Sequence, residues 1–317
     1  MLSRVANSIY WIGRHVERAE SVARFVDVNL QLMLDLPPGL SSQWAPLVHI
    51  TGDWERFETR YKEASQETVI EFLAFDWENP NSIVSCLRAA RENARTIREN
   101  ISSEMWEELN EFYLSVQDPA ARRRARNTPS EFFHNVRRTS HLLLGATDST
   151  LSRGEAWHFA RMGRLLERAD KSSRVLDVKY FLLLPDVSDV GTPIDDLHWS
   201  AVLRSVSGFE MYRKRHGQVA AAKIAEFLLL DRDFPRSVHH CLINLTFSLH
   251  EITGTPLGRF RTAAERRAGQ VATELDYTTM EEVFALGLHE YLDGLQVKLN
   301  SVGESIFETF FALKPVQ

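Results

Sequence analysis

The chain has 317 residues, long enough for one large domain or two of ordinary size with a substantial core. Its 37 basic and 43 acidic side chains leave a net charge of −6, which argues against a general polyanion binder, because phosphate contacts need a basic surface. Hydrophobic residues at 44% exclude a disordered chain, and 2 cysteines exclude a disulfide scaffold or a Cys-rich zinc module and fit a reducing, cytoplasmic setting.

In chain order, Ile9, Ile12, Val16, Ala19, Ala23, Val26 and Leu30 recur at three- and four-residue steps, the stripe of an amphipathic helix. Ser3 is the candidate N-cap and Pro37-Pro38-Gly39 the stop. Arg4, Arg14, Glu17 and Arg18 interrupt this segment, so it does not read as a signal peptide. Pro80 fits the first turn of a further helix, and helical stretches follow over roughly Ser82 to Asn110 and Ser130 to Leu144. Met162, Leu166, Ala169, Ser173, Leu176 and Tyr180 form a second long stripe, with Ser152 as N-cap and Pro185 as stop. The apolar run Tyr180 to Leu184 is far short of the ~20 residues that cross a membrane, so no membrane insertion is expected. Pro235 fits another first turn, and Phe260 to Leu275 and Met280 to Leu313 complete the pattern. No alternating strand intervenes, so the expectation is an all-α bundle of about ten or more helices.

The two long helices are copies of one another in sequence. Gly13 to Asp27 (GRHVERAESVARFVD) and Gly163 to Asp177 (GRLLERADKSSRVLD) share 7 of 15 positions at an offset of 150. Glu71 to Leu87 and Glu226 to Leu242 share 8 of 17 at an offset of 155, which Trp44 and Trp199 already obey. The chain therefore reads as an internal duplication, about 1–148 and 149–317, joined near Gly145 to Gly154 in one body with a pseudo-two-fold axis. Cys86 and Cys241 occupy equivalent positions, which suits two separate core thiols.

The charged face of these helices is the most informative feature. Tyr10, Arg14, Glu17 and Ser21 share a face opposite the apolar stripe, and Trp11, Val22 and Phe25 also lie off the stripe. Arginines surrounded by aromatic residues imply burial on both sides, and buried charges need partners. Arg14, Glu17 and Arg18 are therefore expected to join Arg164, Glu167 and Arg168 in one network. Such a network can be a structural seam or an anion clamp, since paired guanidiniums hold carboxylate or phosphate bidentately. Glu20–Arg24 and Asp170–Arg174 are acid-first i,i+4 pairs.

The paired GRxxERA helices, the FLxxDxxxPxS…CL blocks and Ala90 to Arg95 (ARENAR) resemble the Alpha-E family, all-helical bacterial proteins named for a Glu-Arg signature, over essentially the whole chain. The resemblance maps the signature onto Arg14, Glu17, Arg18 and onto Arg164, Glu167, Arg168. The ARENAR element, with Arg91, Glu92, Asn93 and Arg95, lies in the first copy alone, which makes that helix a candidate for ligand or partner contact. The resemblance implies association with a circularly permuted ATP-grasp amide ligase, a transglutaminase-like peptidase and, in some settings, a proteasome-like peptidase. The expectation is an accessory or interaction protein without cofactor or resident metal, binding a partner or an anionic peptide-like ligand at an Arg/Glu-lined groove. The alternatives are an enzyme of amide or ester chemistry using Glu17, Glu167 or Glu92 as acid/base, and a di-metal oxidase built on Glu131-x-x-His134 and Glu155-x-x-His158 with Glu17 and Glu92. The run Arg122-Arg123-Arg124 with Arg126 reads as a solvated loop or helix end, since no aromatic interleaving points to nucleic acid. P-loop, dinucleotide-binding and nucleophile-elbow motifs are missing from the sequence.

Overall fold

A computed structural model describes residues 1–36, 44–182 and 192–312. Helix α1 spans Ser3–Asp35, and Ile9, Ile12, Ala19, Ala23 and Val26 of its apolar stripe are buried. Short helices α2 (Ala45–Thr51), α3 (Trp54–Glu58) and α4 (Gln66–Ile70) follow, the last running into a π-turn over Glu71–Phe75. Then come α5 (Ile83–Arg95), α6 (Ser103–Gln117), α7 (Pro119–Asn127) and α8 (Pro129–Thr150). The second long helix, α9, spans Glu155–Leu182. It is followed by α10 (Pro193–Ser205), α11 (Phe209–His216), α12 (Ala221–Leu229) and α13 (Val238–Thr253). The chain continues with α14 (Ala263–Tyr277), α15 (Met280–Leu286) and α16 (Leu288–Ile306), then a π-turn over Phe307–Phe311. The described residues are all-helical, without a strand.

Several boundaries differ from the sequence reading, each for a local reason. Ser3 lies inside the first turn, and the cap position falls on Leu2, which contributes no side-chain bond. Ser152 precedes the start of α9 by three residues, its carbonyl accepting from the Gly154 N–H in the turn between α8 and α9. Serine caps do form at Ser82 and Ser237, whose hydroxyls accept from the N–H of Ser85 and His240. Pro80 and Pro235 stand two residues before these caps, in the preceding turn, and not inside the helix. The stretch from Ser82 is not continuous to Asn110. It breaks after Arg95, where Ile97 leaves helical geometry to enter the core, and Ser102 caps a new helix through the Met105 N–H. The C-terminal stretch breaks at Gly287, whose φ of +102° suits glycine alone. Pro37 to Gly39, the side chain of Tyr180, Pro185 and Leu313 lie outside the described residues.

Helices α1 and α9 lie side by side at the centre. Their contacts advance together, Tyr10 against Gly163 and Arg18 against Glu167, so the two run in the same direction. Helices α5, α8 and α10 pack on α1, and α13 and α16 pack on α9. One apolar cluster extends from Val5 to Phe311 around this pair. Cys86 and Cys241 are buried and free, each donating weakly to the carbonyl of Pro80 or Pro235.

Candidate functional site

Two glycines set the distance between the central helices. A Cβ on Gly13 would sit 2.2 Å from the Ala160 carbonyl oxygen, and one on Gly163 would sit 2.0 Å from that of Tyr10. Backbone meets backbone there, so the charged residues one turn further on are carried straight across the interface. Arginine and glutamate from each helix meet partners from the other.

The first charge centre forms around Glu167, which is 0% exposed. Arg14 Nε donates to Oε2 at 2.9 Å, and Arg18 Nε donates to Oε1 at 2.7 Å, while Lys171 Nζ lies 3.6 Å away. Burial pushes the Glu167 carboxyl up, but Arg18, Arg14 and Lys171 outweigh it and hold the group well below the usual carboxylate range. Arg18 also donates to Asn81 Oδ1 at 2.6 Å, and Asn81 donates to Asp53. Arg14 completes its set on the Tyr10 hydroxyl. On the same face, Asp170 accepts from Lys171 and from Arg174, the latter the expected i,i+4 pair.

The second centre forms around Glu17 and Glu20. Arg168 Nε and Nη2 donate to the two Glu17 oxygens at 2.8 Å each. Arg236, from the loop before α13, bridges Glu17 Oε1 at 2.8 Å and Glu20 Oε2 at 3.0 Å. Arg24 donates to Glu20 and to the Ser207 hydroxyl. Burial raises the Glu17 carboxyl, and Arg168 and Arg236 overcome it to lower it. Burial likewise raises Glu20, and Arg236 with Arg24 holds it well below its ordinary value.

Arg164 does not join either centre, although the sequence reading places it in the network. Arg14 donates to the Glu167 oxygen that accepts from Arg18 Nη2, whereas Arg236 donates to the Glu17 oxygen that accepts from Arg168 Nε, so the place matching Arg14 is not the one Arg236 takes. The Arg164 side chain instead lines a cleft between α1, α8 and α9, and its Nε is buried without a hydrogen-bond partner. Burial and then the neighbouring Arg168 pull its guanidinium down to about 10. The cleft holds a cavity of about 60 Å³, walled by Ile12, Val16, Leu143 and Leu144 on its apolar side. Arg161, Arg164, Arg168 and Arg236 line it as well, together with Glu17, Glu20 and Asp148.

The remaining candidates fall elsewhere. Arg91, Glu92, Asn93 and Arg95 sit on the last turns of α5 and take no part in the Glu-Arg interface. Arg91 donates to Asn110 Oδ1 and to Glu92, and Arg95 donates to Glu92. Arg91 also lies over the rings of Trp106 and Tyr113. Glu131, His134, Glu155, His158, Glu17 and Glu92 are not gathered. Among the described residues, the one grouping with metal-ligand spacing is Asp177, His289 and Asp293, where His289 Nδ1 and an Asp177 oxygen are 2.6 Å apart. Burial pushes the Cys86 and Cys241 thiols up to about 12, which leaves neither nucleophilic near neutrality. Arg122 to Arg126 lie within α7, where Arg122 pairs with Glu71. No described helix is long and apolar enough to cross a membrane. The sequence reading missed Arg236, Asn81 and Glu20 as members of the network. The available signal is the charged-for-neutral difference Asn81/Arg236, which stands between the matched Pro80/Pro235 and Ser82/Ser237.

Fold and interface together define an all-helical protein in which two long helices exchange arginine and glutamate across a glycine contact. The chain belongs to the Alpha-E family, described as a predicted alpha-helical domain with a conserved ER motif, which matches residues 1–311. It is similar to uncharacterized proteins of Mycobacterium bovis and of two strains of Mycobacterium tuberculosis, each 23% identical over 98% of this chain. The chain spans 37% of the length of these relatives. No solved structure matches it.

Proposed function

We propose that this chain is an accessory and interaction protein for an ATP-grasp amide ligase, holding an anionic, peptide-like ligand or partner segment at the arginine-lined cleft. The observation that carries this reading is Arg164, a cation with its Nε buried, unpartnered and set in a cleft beside three further arginines. Buried charge without a partner is costly, and an incoming anion removes the cost. Two further points support it. The relatives carry a matching segment within a much longer chain, a setting in which such a unit works beside other domains. In this reading the two sequence copies, about 1–148 and 149–317, form one body around a pseudo-two-fold axis, with α1 and α9 as its paired elements. The partners are a circularly permuted ATP-grasp protein and a transglutaminase-like peptidase, in the cytoplasm. Catalysis by Glu17 or Glu167 is the weaker reading, since each carboxylate already accepts from two arginines and would have to leave an ion pair to take a proton.

The test is association with the ATP-grasp protein at micromolar concentration with its substrates present, measured by calorimetry and co-elution. The expected result is a complex, and no amide or ester turnover by this chain alone. Absence of association under those conditions overturns the reading.

A further inference from the structure

The charges around the cleft can be accounted for one at a time. Glu17 is held by Arg168 and Arg236. Glu20 is held by Arg236 and Arg24, with His141 Nε2 at 3.6 Å. Asp148 accepts from Arg153 and from the Trp157 indole N–H. All three acids of the cleft therefore already have donors other than Arg164. Arg161 points its guanidinium away, donating to Asn244 and Ser248 on α13 while its charge lies over the Trp157 ring. Of the four arginines that line the cleft, Arg164 is the one left over.

The repeated sequence shows that this surplus is not inherent in the motif. Arg14, at the position matching Arg164, bonds to Glu167 and to the Tyr10 hydroxyl. Arg164 has kept the side chain and lost the acid. The cleft is also small. Its cavity of about 60 Å³ is lined by Arg164 and, among apolar residues, by Ile12, Val16, Leu143 and Leu144. A dianion is disfavoured, because its second charge finds no free cation and faces Glu17, Glu20 and Asp148.

We propose that the cleft between α1, α8 and α9 is a carboxylate subsite, in which Arg164 takes the single negative charge of a C-terminal carboxylate and the apolar wall takes the adjoining aliphatic side chain. This names the ligand class for the docking reading above and rests on it. Guanidinium and carboxylate match in planar, two-bond geometry, and a neutral amide at the same place gives up the charge. Discrimination between a free acid and its amide is the property such a subsite confers.

Isothermal calorimetry with N-acetyl-leucyl-leucine, its C-terminal amide, hexanoate and inorganic phosphate tests it. The acid binds to the intact protein, the amide binds at least about tenfold more weakly, and phosphate does not compete, a tenfold change being about 1.4 kcal/mol. Hexanoate binding more weakly than the dipeptide supports a peptide C-terminus as the source, and equal binding supports a free acyl acid, the carboxylate being shared by both. Arg164→Gln loses the preference for acid over amide with an unchanged circular dichroism spectrum, and Arg164→Lys retains part of it. The inference is overturned if acid and amide bind the intact protein alike, if neither binds, or if Arg164→Gln keeps the preference. Association with the ATP-grasp protein is measured on the same preparations. A persisting complex beside equal acid and amide binding removes this inference and leaves the docking reading standing.

Discussion

The centre around Glu167 and the centre around Glu17 start from the same seven-residue signature and end in different electrostatic states. At Glu167 both arginines of α1 converge on one carboxylate, Lys171 adds a third cation, and Asn81 fills the remaining space as a neutral acceptor for Arg18. At Glu17 the residue matching Asn81 is Arg236, which bonds directly to the carboxylate and to Glu20. Arg164 bonds to neither carboxylate and lines the cleft. The difference teaches that one Glu-Arg signature can close completely, as around Glu167, or leave a cation over, as at Arg164, while a loop residue supplies a further partner at each centre.

The largest expected effect tests the closed centre. Glu167→Gln keeps the shape of the side chain but strands Arg14, Arg18 and Lys171 around a neutral amide in a fully buried place. Removing one partner of a buried ion pair costs about 4 kcal/mol, read as a fall in unfolding free energy in denaturant. Glu17→Gln should cost less, about 2 kcal/mol, because Glu20 still holds Arg236 and Arg168 retains the Pro235 carbonyl. Equal losses at the two sites would break the contrast between the two centres.

The next test interchanges the deciding residue. Arg236→Asn restores at the second centre the residue type found at the first. It removes ion pairs to Glu17 and Glu20 and takes one of the two guanidiniums off Glu17, which draws the unpartnered Arg164 toward that carboxylate. Partial replacement of one guanidinium by another limits the loss to about 1.5 kcal/mol by the same denaturant measurement. The sharper readout is structural: a crystal structure of the variant shows Arg164 bonded to Glu17. Arg164 still facing the cleft would mean that something other than Arg236 directs it there.

Much of this interface is legible in the sequence, and the illegible part has a physical reason. Arg14, Glu17, Arg18, Glu167 and Arg168 announce themselves because a charged motif beside Trp11 and Phe25 cannot be left in water or buried without partners. Their spacing along two helices then suffices to bring them together. Arg236 and Asn81 are invisible to that logic, because they reach the interface from loops whose placement is set by α5 and α13 packing on the central pair. The serine caps are misread at Ser3 and Ser152 for a related reason. The helical pattern locates a helix within a few residues, but the cap depends on which residue takes extended geometry, as Ser82 and Ser237 do. ARENAR reads as a site candidate from charge density alone. Its charges are satisfied locally by Asn110 and Glu92, and nothing in the sequence distinguishes that outcome from a ligand contact.

Acid titration gives a smaller and graded contrast. Glu167, Glu17 and Glu20 all have folded-state values below the ordinary 4.5, so each contributes stability that is present above that value and lost as pH falls through its lowered one. Burial pushes Glu265 up, but the Thr253 hydroxyl and the backbone N–H groups of Thr262 and Arg261 hold it at about 2, adding a loss between 4.5 and 2. His15 acts in the same sense at higher pH. Burial, then Arg18, lowers it to about 4, so its neutral state favours the fold above 6.5, and that contribution is lost as pH falls through 4. Stability measured against pH should therefore decline below 6.5 and steepen below 4.5. Glu167→Gln and Glu17→Gln should each flatten the lower limb, because each removes a carboxylate held below its ordinary value.

The smallest effect concerns how each centre anchors its outer arginine. Arg24 ends on the hydroxyl of Ser207, and Arg174, at the matching position of α9, approaches Gly52. Ser207 and Gly52 lie 155 residues apart, the offset of the matched sequence blocks, and both have positive φ, 54° and 78°. Glycine takes that conformation freely, whereas serine holds it at a cost of about 1 kcal/mol. A hydroxyl bonded to a buried guanidinium returns roughly 1.5 kcal/mol, enough to explain why serine is tolerated at this place. Ser207→Ala keeps the backbone strain and loses the bond, so it should destabilise by about 1.5 kcal/mol. Ser207→Gly loses the bond and the strain together and should lie within about 0.5 kcal/mol of the parent chain, because two opposing terms of similar size nearly cancel. Both values are obtained from the same denaturant curves. An alanine variant as stable as the glycine one would show that Arg24 draws nothing from Ser207, leaving Glu20 as its sole anchor.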